Sequence, residues 1–250
     1  MGSKTRAEVD LDEVNLKQDG RFCVFSRVAR RQNRRYYLIW KPYGVLCQFT
    51  DKGVKRDPLF GPSIERRPTL ANLGRFPPNV YAAGRLDLDS EGLVLVTNDG
   101  QLKHMLLDPS YRHPRVYYVQ VERIPDQDAL ERLRNGVEIE GKMTLPAKVR
   151  LEDGDMYFPG REYDPIRFRK TVPTAWLELI IYEGRNRQVR KMTAAVGHPT
   201  LRLVRWQMAT LTLDHMNPGR CRELYRSEVD DLRESLRFPG WRFSLPRQPA

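Results

Sequence analysis

Short apolar segments of β-type residues, each ended by a turn signal, are the feature of this sequence that most restricts its fold. YYLIW at 36–40 is one such segment, and KPYG at 41–44 separates it from a second, VLCQF at 45–49. Segments of this length, bounded by Pro and Gly, are typical of strands joined in hairpins. The sequence lacks the regular alternation of strand and helix that a doubly wound parallel sheet requires. The pattern therefore predicts an α+β fold with a largely antiparallel sheet.

The rest of the chain continues this pattern, with a few helices between the strands. Further strands are predicted at 80–84, 93–97, 115–123, 145–152, 175–184, 201–208 and 211–213, and helices at 99–107, 126–136, 187–197 and 227–236. Asp99 and Asp126 stand where helix N-caps are expected, because a carboxylate there accepts the unpaired N–H groups of the first turn. Residues 51–79 and 153–172 are polar and are predicted to be loops, the first with a short helix near 70–73.

Three regions are expected along the 250 residues. Residues 36–225 are expected to form the folded domain. Residues 1–35 are expected to be a flexible basic arm, because the stretch 21–35 holds six arginines and no acidic residue. Such a segment can follow phosphate groups without folding on its own. Residues 226–250 are expected to add a C-terminal helix and a tail.

Composition and charge narrow the possible partners. The chain carries 43 Lys and Arg against 32 Asp and Glu, a net charge of +11. Such a charge indicates an anionic partner, most often nucleic acid, although a basic protein without such a partner is the alternative. No apolar run approaches the ~20 residues that span a bilayer, and the first residues lack the apolar stretch of a signal peptide. The three cysteines and four histidines lie far apart. We therefore expect a cytoplasmic monomer with no membrane partner, no metal site, no disulfide framework and no cofactor.

An acidic turn, GRLDLDSEG at 84–92, lies between two predicted strands. A carboxylate on such a turn is held by the flanking strands and faces outward, which suits a catalytic group. Asp87, Asp89 and Glu91 also fit the first, third and fifth ligand positions of a calcium loop. Asn98, however, stands where that loop requires glutamate. A solvated acidic turn is the other alternative.

A basic turn, EGRNRQVRK at 183–191, joins a predicted strand to a predicted helix. Backbone N–H groups at a helix start and basic side chains can together bind an anion. Between 182 and 205 the basic residues are Arg185, Arg187, Arg190, Lys191, Arg202 and Arg205, against Glu183 alone. Spacings of three and four residues predict that Arg187, Arg190 and Lys191 share one helical face. These side chains can contact phosphate and neutralise a buried carboxylate, or they can form an exposed basic face.

Aromatic residues interleave with these cations, a combination that suits unstacked bases. The group comprises Tyr36, Tyr37, Trp40, Tyr43, Tyr117, Tyr118 and Trp206. Most aromatic residues on strands belong to the core. Tyr117 and Tyr118 must also point to opposite faces of their strand, so at most one of them can line a given site.

Taken together, the segments GRLDLDSEGLVLVTNDG and EGRNRQVRKMTAAVGHPTLRLVR resemble the RsuA-type family of ribosomal-RNA pseudouridine synthases. The similarity extends through KPYGVLCQFT, RVYYVQVERIPDQDALERLRNGV and TLPA, and covers residues 36–225. The resemblance implies the pseudouridine synthase fold, a long mixed and mainly antiparallel sheet with a central catalytic cleft. Many members also carry an N-terminal RNA-binding module of the S4 type, for which residues 1–35 leave no room.

The resemblance also implies roles for particular residues. Asp87 in GRLD matches the catalytic aspartate, Tyr117 in RVY the tyrosine that stacks on the target base, and Arg190 in RQVR the basic residue that pairs with the aspartate. Leu203 matches, less closely, an apolar residue that packs the pocket. RNA contact is expected from Arg85, Lys41, Tyr43, Arg115, Arg185, Arg187, Lys191, Arg202, Leu203 and Arg205. Leu88 departs from the family, in which a basic or polar residue commonly follows the aspartate.

The function implied is the isomerisation of a specific uridine to pseudouridine in large-subunit ribosomal RNA, by base flipping and an essential aspartate. This reaction needs no redox step, group donor or metal. The carboxylate can attack C1′ or C6 of the nucleotide or act as a base at C2′, and the sequence does not choose among these. Two alternatives stay open, a non-catalytic rRNA-binding or assembly factor on the same scaffold, and a pseudouridine synthase that acts on another RNA.

Overall fold

The structure, a computed structural model, describes residues 34–51, 54–57, 61–64, 66–154, 156–159, 161 and 172–237. Nearly all of the expected N-terminal arm and the tail after residue 237 lie outside the described residues. Much of the predicted loop at 153–172 lies outside them as well.

The strands pair into one large sheet and two small hairpins. In chain order they are β1 (Tyr36–Lys41), β2 (Val54–Asp57), β3 (Gly61–Ile64), β4 (Tyr81–Ala83), β5 (Glu91–Thr97), β6 (Arg115–Glu122), β7 (Glu138–Ile139), β8 (Lys142–Met143), β9 (Lys148–Leu151), β10 (Thr174–Ile181), β11 (Thr200–Met208), β12 (Leu211–Thr212) and β13 (Cys221–Glu223). Nine of them form the large sheet in the spatial order β13-β1-β5-β11-β6-β10-β9, with β4 beside β5 and β12 beside β11. Within it β5 and β11 run parallel, and the other described pairs are antiparallel. The predicted α+β class with a long, mixed and mainly antiparallel sheet is confirmed.

Helices cover both faces of this sheet. They are α1 (Gly100–Leu107), α2 (Gln127–Asn135), α3 (Gln188–Ala195) and α4 (Arg226–Arg237). α2 and α3 bury Leu133 and Met192 in one hydrophobic cluster, whereas α1 and α4 bury Leu106 and Leu232 in a second cluster. The four predicted helices are confirmed, and within the described ranges no helix is long and apolar enough to cross a membrane.

Strand β6 shows how the period of two in the sequence builds these two clusters. Tyr117, Val119 and Val121 belong to the cluster under α2 and α3, and Tyr118 belongs to the cluster under α1 and α4. Successive side chains on a strand point to opposite faces, so this division follows directly from the chain order. The prediction that the two tyrosines face opposite ways is confirmed.

Helix caps and one close backbone contact position the functional turns. The Asp99 carboxylate accepts from the Leu102 N–H at 3.1 Å, and the Asp126 carboxylate accepts from the Ala129 N–H at 2.8 Å, as predicted. Gly92 has φ +110°, and a Cβ there would lie 2.6 Å from the backbone nitrogen of Arg205. Only glycine therefore lets β5 pair with β11 at this point, which brings the acidic turn to the middle of the sheet.

The predicted strand at 45–49 is wrong. Its described backbone forms an isolated bridge between Leu46 and Thr69 instead of a strand. Val45 and Cys47 are buried, each 6% exposed. The apolar pattern here therefore reflects side chains packed under a loop and not a hydrogen-bonded ladder.

Several short strands were not predicted. The hairpin β2–β3 lies within the predicted loop at 51–79, the hairpin β7–β8 follows α2, and β13 pairs with the edge of β1. These strands have only two to four residues each. Such lengths are too short to display a period of two in the sequence.

Candidate active site

Backbone hydrogen bonds hold the acidic turn between β4 and β5 in place. Ser90 N–H donates to the Asp87 carbonyl at 3.2 Å, which closes the turn on itself. Gly44 N–H donates to the Leu88 carbonyl at 3.0 Å and ties the turn to the loop after β1. The Asp87 carboxylate is 32% exposed, so it is reachable from solvent although its backbone is fixed.

Lys41 fixes the same turn and is not available to RNA. It is fully buried, and its Nζ donates to the carbonyls of Pro42, Val45 and Leu88 at 3.0, 2.7 and 3.4 Å. Burial lowers the pKa of Lys41 to about 8, against partial compensation from nearby carboxylates. The expected RNA contact of Lys41 is contradicted, because the ammonium group is enclosed by backbone carbonyls.

The basic turn before α3 is held by a buried amide. The Gln188 side chain accepts from the Arg185 N–H at 2.9 Å and donates to the Glu183 carboxylate at 2.7 Å. The same carboxylate accepts from the Leu145 N–H at 2.9 Å, so the turn is also tied to the chain before β9. Sequence reasoning did not single out Gln188 as a functional residue, and Glu183 stood there only as the one acid among the cations. Their spacing of five residues across a strand–helix junction is the only signal that could have found them.

Three charged side chains join the two turns. Arg187 donates to both carboxylate oxygens of Asp89, at 3.1 and 2.8 Å, and its guanidinium lies 3.4 Å from the Asp87 carboxylate. Arg190 donates to the Asp89 carbonyl at 2.7 Å, and its Nε lies 3.5 Å from the Asp89 carboxylate. Asp89, which sequence reasoning considered only as a calcium ligand, is the centre of this network.

The structure corrects the expected pairing of Arg190 with Asp87. Arg190 pairs with Asp89, and the arginine beside Asp87 is Arg187, which precedes the helix in a left-handed conformation with φ +48°. The pKa of Asp89 is the balance of opposing causes. Burial raises it, but the hydrogen bond from Arg187 and the charge of Arg190 outweigh burial and hold it below its usual value. Burial lowers the pKa of the Arg190 guanidinium from its ordinary value.

A cavity of about 330 Å³ opens between the two turns. Asp87 lies on one side of it, and Tyr117, Leu203, Ile181 and Val189 form an apolar wall. Tyr117 and Leu203 are 7% and 5% exposed, and both belong to the hydrophobic cluster under α2 and α3. The structure thus brings the carboxylate, the tyrosine and the leucine of the sequence prediction to one cavity. Arg85 and Arg187 also line it.

Other predicted RNA contacts lie around this cavity with partners of their own. Arg185 donates to the carbonyls of Lys142 and Met143 on β8 and lies 3.3 Å from the Glu183 carboxylate. Lys191 pairs with Glu140 at 2.6 Å. Lys191 therefore contacts the hairpin β7–β8, whereas Arg187 and Arg190 contact Asp89, so the three cations predicted to share one helical face have different partners. The Tyr43 ring lies 3.7 Å below the guanidinium carbon of Arg161.

Three further arginines are structural. Arg115 donates to the Leu106 carbonyl at 3.3 Å, and Arg205 donates to the Leu93 carbonyl at 2.8 Å. Arg202 donates to both carboxylate oxygens of Glu91, at 2.9 and 2.7 Å. They are 5%, 3% and 6% exposed, respectively. The expected RNA contacts of these arginines are contradicted, because the guanidinium groups lie inside the protein.

The calcium alternative receives no support from this geometry. Asp89 is engaged by arginines and Glu91 by the buried Arg202, so the carboxylates of the turn do not converge. Within the described ranges, no group of three or more His, Cys, Asp or Glu side chains is arranged to hold a metal ion.

Comparison with known proteins gives a consistent result. Residues 35–195 match the family described as RNA pseudouridylate synthase. Ribosomal large subunit pseudouridine synthase E of Xanthomonas axonopodis pv. citri is 52% identical over 181 residues, which cover 72% of this chain and 89% of that protein. The protein of the same name from Vibrio parahaemolyticus is 47% identical over 195 residues, covering 77% of this chain and 75% of that one.

A solved structure agrees with these relatives. A crystal structure of a pseudouridylate synthase superimposes with a TM-score of 0.61 at 29% identity, and the match covers 80% of this chain and 74% of that one. The expected pseudouridine synthase fold and the resemblance to the RsuA-type enzymes are thus confirmed. The matched residues 35–195 include both turns of the cavity, and the chain belongs to the RNA pseudouridylate synthase family.

Proposed function

We propose that this chain isomerises a specific uridine of large-subunit ribosomal RNA to pseudouridine, with Asp87 as the catalytic residue. The observation that carries the proposal is the cavity that Asp87, Tyr117 and Leu203 line together. A volume of about 330 Å³ lies at the lower end of small-molecule sites and suits one flipped-out nucleotide. The names of the relatives support large-subunit ribosomal RNA as the substrate.

The reaction itself is balanced without a co-reactant. The N1–C1′ bond of uridine breaks, the base turns, and a C5–C1′ bond forms. The hydrogen on C5 leaves as a proton, and N1 takes up a proton. The carboxylate of Asp87 can assist as a nucleophile at C1′ or C6 or as a base at C2′.

Other residues in and beside the cavity assist Asp87 in this proposal. The Tyr117 ring offers a stacking surface for the flipped base, which is worth ~1–3 kcal/mol. Arg187 and Arg190 place two positive charges beside the acidic turn, where RNA phosphates approach. Arg187 is partly exposed and can meet a phosphate while it remains paired with Asp89, whereas Arg190 is more deeply buried and holds the turn in place.

The proposal extends to the organisation of the chain. We place the catalytic domain at 36–225, with 1–35 as a basic arm that adds RNA contacts and 226–250 as an added helix and tail. We also place the enzyme in the cytoplasm as a monomer. The resemblance and the matched range support these boundaries for the region that carries the cavity.

Tritium release from RNA transcripts labelled at C5 of uridine tests the proposal directly, because forming the C5–C1′ bond expels that hydrogen. Wild type should release tritium from large-subunit transcripts or particles. Asp87→Asn should fold and bind RNA but release none. Asp231→Asn, an exposed substitution of the same kind on α4, should behave as wild type.

Two results would contradict the proposal. Full release by Asp87→Asn would remove the catalytic role of this carboxylate. If wild type released no tritium from ribosomal transcripts, ribosomal particles or transfer RNA, a non-catalytic RNA-binding factor would replace the enzyme.

A further inference from the structure

A second and larger cavity, of about 740 Å³, lies next to the candidate active site. Its walls come from residues 47–50, residues 76–82, the segment Gly84–Arg85, and Lys103 and Leu107 of α1. It shares one residue, Arg85, with the cavity that holds Asp87. We call this second cavity the flanking groove. None of the roles assigned to the catalytic cavity accounts for it.

The flanking groove is lined by aromatic rings. Phe49 and Phe76 meet edge to face, with ring centroids 5.3 Å apart, and Tyr37 supports Phe76 from the core side at 5.4 Å. Tyr81 stands at the groove with 59% of its surface exposed. Several rings at one concave surface suit a ligand with apolar or planar groups.

The charges at the groove select an anionic ligand. Arg85 is exposed and Lys103 is half-buried, and neither has an ion-pair partner among the described residues. No acidic residue is among the described residues that line the groove. Planar rings together with unpaired cations are the combination that binds single-stranded nucleic acid, in which bases stack and phosphates are neutralised.

Continuity with the catalytic cavity identifies which part of the RNA reaches the groove. Arg85 precedes Asp87 by two residues, so their Cα atoms are separated by at most about 7 Å. A nucleotide whose base enters the catalytic cavity therefore has its backbone beside Arg85, with the neighbouring nucleotide at the flanking groove.

We propose that the flanking groove binds an unpaired base adjacent to the target uridine, with Tyr81 as the stacking surface and with Arg85 and Lys103 on the phosphates. This inference rests on the proposed function for the identity of the target nucleotide. The groove would then hold the RNA strand open on one side of the flipped base. Part of the specificity for an unpaired segment would arise here and not in the catalytic cavity.

Fluorescence anisotropy with the full chain tests the proposal without requiring catalysis. The probes are a fluorescein-labelled uridine octamer and an abasic tetrahydrofuran-phosphate octamer of equal charge. Tyr81→Ala should weaken binding of the uridine octamer by about fivefold or more, since stacking on one ring is worth ~1–3 kcal/mol. It should leave the abasic octamer unchanged, and Tyr81→Phe should restore wild-type binding of both probes.

Two more variants separate stacking from charge and from general damage. Lys103→Ala should weaken the binding of both probes equally, because it removes a phosphate contact and no ring. Tyr225→Ala removes a ring that is 71% exposed and does not line the groove, so it should change neither Kd. A Tyr81→Ala variant that binds both probes like wild type, or a Tyr225→Ala variant that loses as much as Tyr81→Ala, overturns the proposal.

Photocrosslinking locates the base. An octamer carrying 5-iodouridine should form adducts with Tyr81 or Phe49 when irradiated on the wild-type protein. Adducts confined to Tyr117 would overturn the proposal for the flanking groove and would leave the proposal for the catalytic cavity intact.

Sedimentation velocity tests whether a second copy of the chain occupies the groove instead. A concentration-dependent dimer of wild type that Tyr81→Ala abolishes would overturn the proposal as well. Failure of the proposed function would be detected by a different experiment, because wild type would then release no tritium.

Discussion

Asp89 joins the acidic turn to the basic turn through its contacts with two arginines. It receives two hydrogen bonds from Arg187 and lies 3.5 Å from Nε of Arg190. Without this carboxylate, Arg187 would be free to pair fully with Asp87, whose carboxylate it already approaches to 3.4 Å. We therefore regard Asp89 as a positioning residue that keeps Arg187 from neutralising Asp87, the carboxylate proposed to be catalytic.

Asp89→Asn should lower kcat about tenfold or more and leave RNA binding largely intact. The free energy of unfolding should fall by about 1–2 kcal/mol, a modest value because Arg187 is 41% exposed and water screens part of the pair. Tritium release and urea unfolding measure the two effects. Glu131→Gln, which weakens an exposed ion pair with Arg134, is the control and should change neither. Unchanged kcat in Asp89→Asn would contradict the positioning role.

His113 gives the protein a specific dependence on pH. It is 3% exposed, and burial together with the charge of Arg115 lowers its pKa from 6.5 to about 4. Since the unfolded chain binds this proton first as the pH falls, the folded state loses stability between about pH 6.5 and pH 4. Wild type should therefore lose about 2 kcal/mol more than His113→Leu between pH 7.5 and pH 5, measured by urea unfolding.

The choice of pH range separates the effect of His113 from the effects of the acidic residues. Among the described residues, four carboxyl groups have a lowered pKa, namely Asp89, Asp99, Asp108 and Glu228. Their stabilising contribution is lost only below their ordinary pKa values, and the loss is equal in both proteins. Equal loss of stability in wild type and His113→Leu above pH 5 would contradict the lowered pKa of His113.

At the scale of elements, the sequence predicts the long strands and the helices because their patterns repeat several times. β6 and β10 each have eight residues, and α2 has its N-cap and three buried residues on one face. The two-residue strands β7 and β8 contain no such repetition, and their hairpin is held by contacts from Arg185 and Lys191, which lie far away in the chain. Tertiary contacts that join distant segments cannot be inferred from local patterns.

The candidate site also has some residues that the sequence predicts and some contacts that it does not. The motifs identify Asp87, Tyr117 and Leu203, which do meet at one cavity. The motifs do not reveal that Arg190 pairs with Asp89. GRLDLD contains two aspartates, Asp87 and Asp89, and the sequence does not show which of them lies beside Arg190. The motifs also do not distinguish exposed arginines from Arg202, whose carboxylate partner lies 111 positions away in the chain.

Helix α4 is expected to stabilise the fold without taking part in the reaction. Leu232 is fully buried in the cluster that it shares with α1, and Arg233 lies 3.0 Å from the Asp99 cap. Leu232→Ala should reduce the free energy of unfolding by about 2–5 kcal/mol, because it removes buried methyl groups and leaves a cavity. Glu234→Ala, an exposed substitution in the same helix, should stay within about 0.5 kcal/mol. Urea unfolding measures both, and tritium release per folded molecule should remain at the wild-type level in each.

For the whole molecule, the net charge of +11 overstates the number of RNA contacts. Four of the cations expected at RNA, Lys41, Arg115, Arg202 and Arg205, are buried with protein acceptors. Buried cations release no counterions when RNA binds, so they cannot contribute to the salt dependence of binding. The effective positive surface is therefore a part of the total charge, and the salt dependence can locate it.

Arg85 should belong to that surface, since it is exposed and borders both cavities. In a plot of log K against log salt concentration for the uridine octamer, Arg85→Ala should reduce the magnitude of the slope by about 0.7, the value for one phosphate contact on a single strand. Arg226→Ala is the matched control, because Arg226 is 96% exposed on α4 and lines neither of the two cavities. It should leave the slope unchanged, since its counterions stay in place when RNA occupies the cavities. Equal reductions by the two variants would mean that RNA is held by the overall charge of the protein and not by the face that carries Asp87.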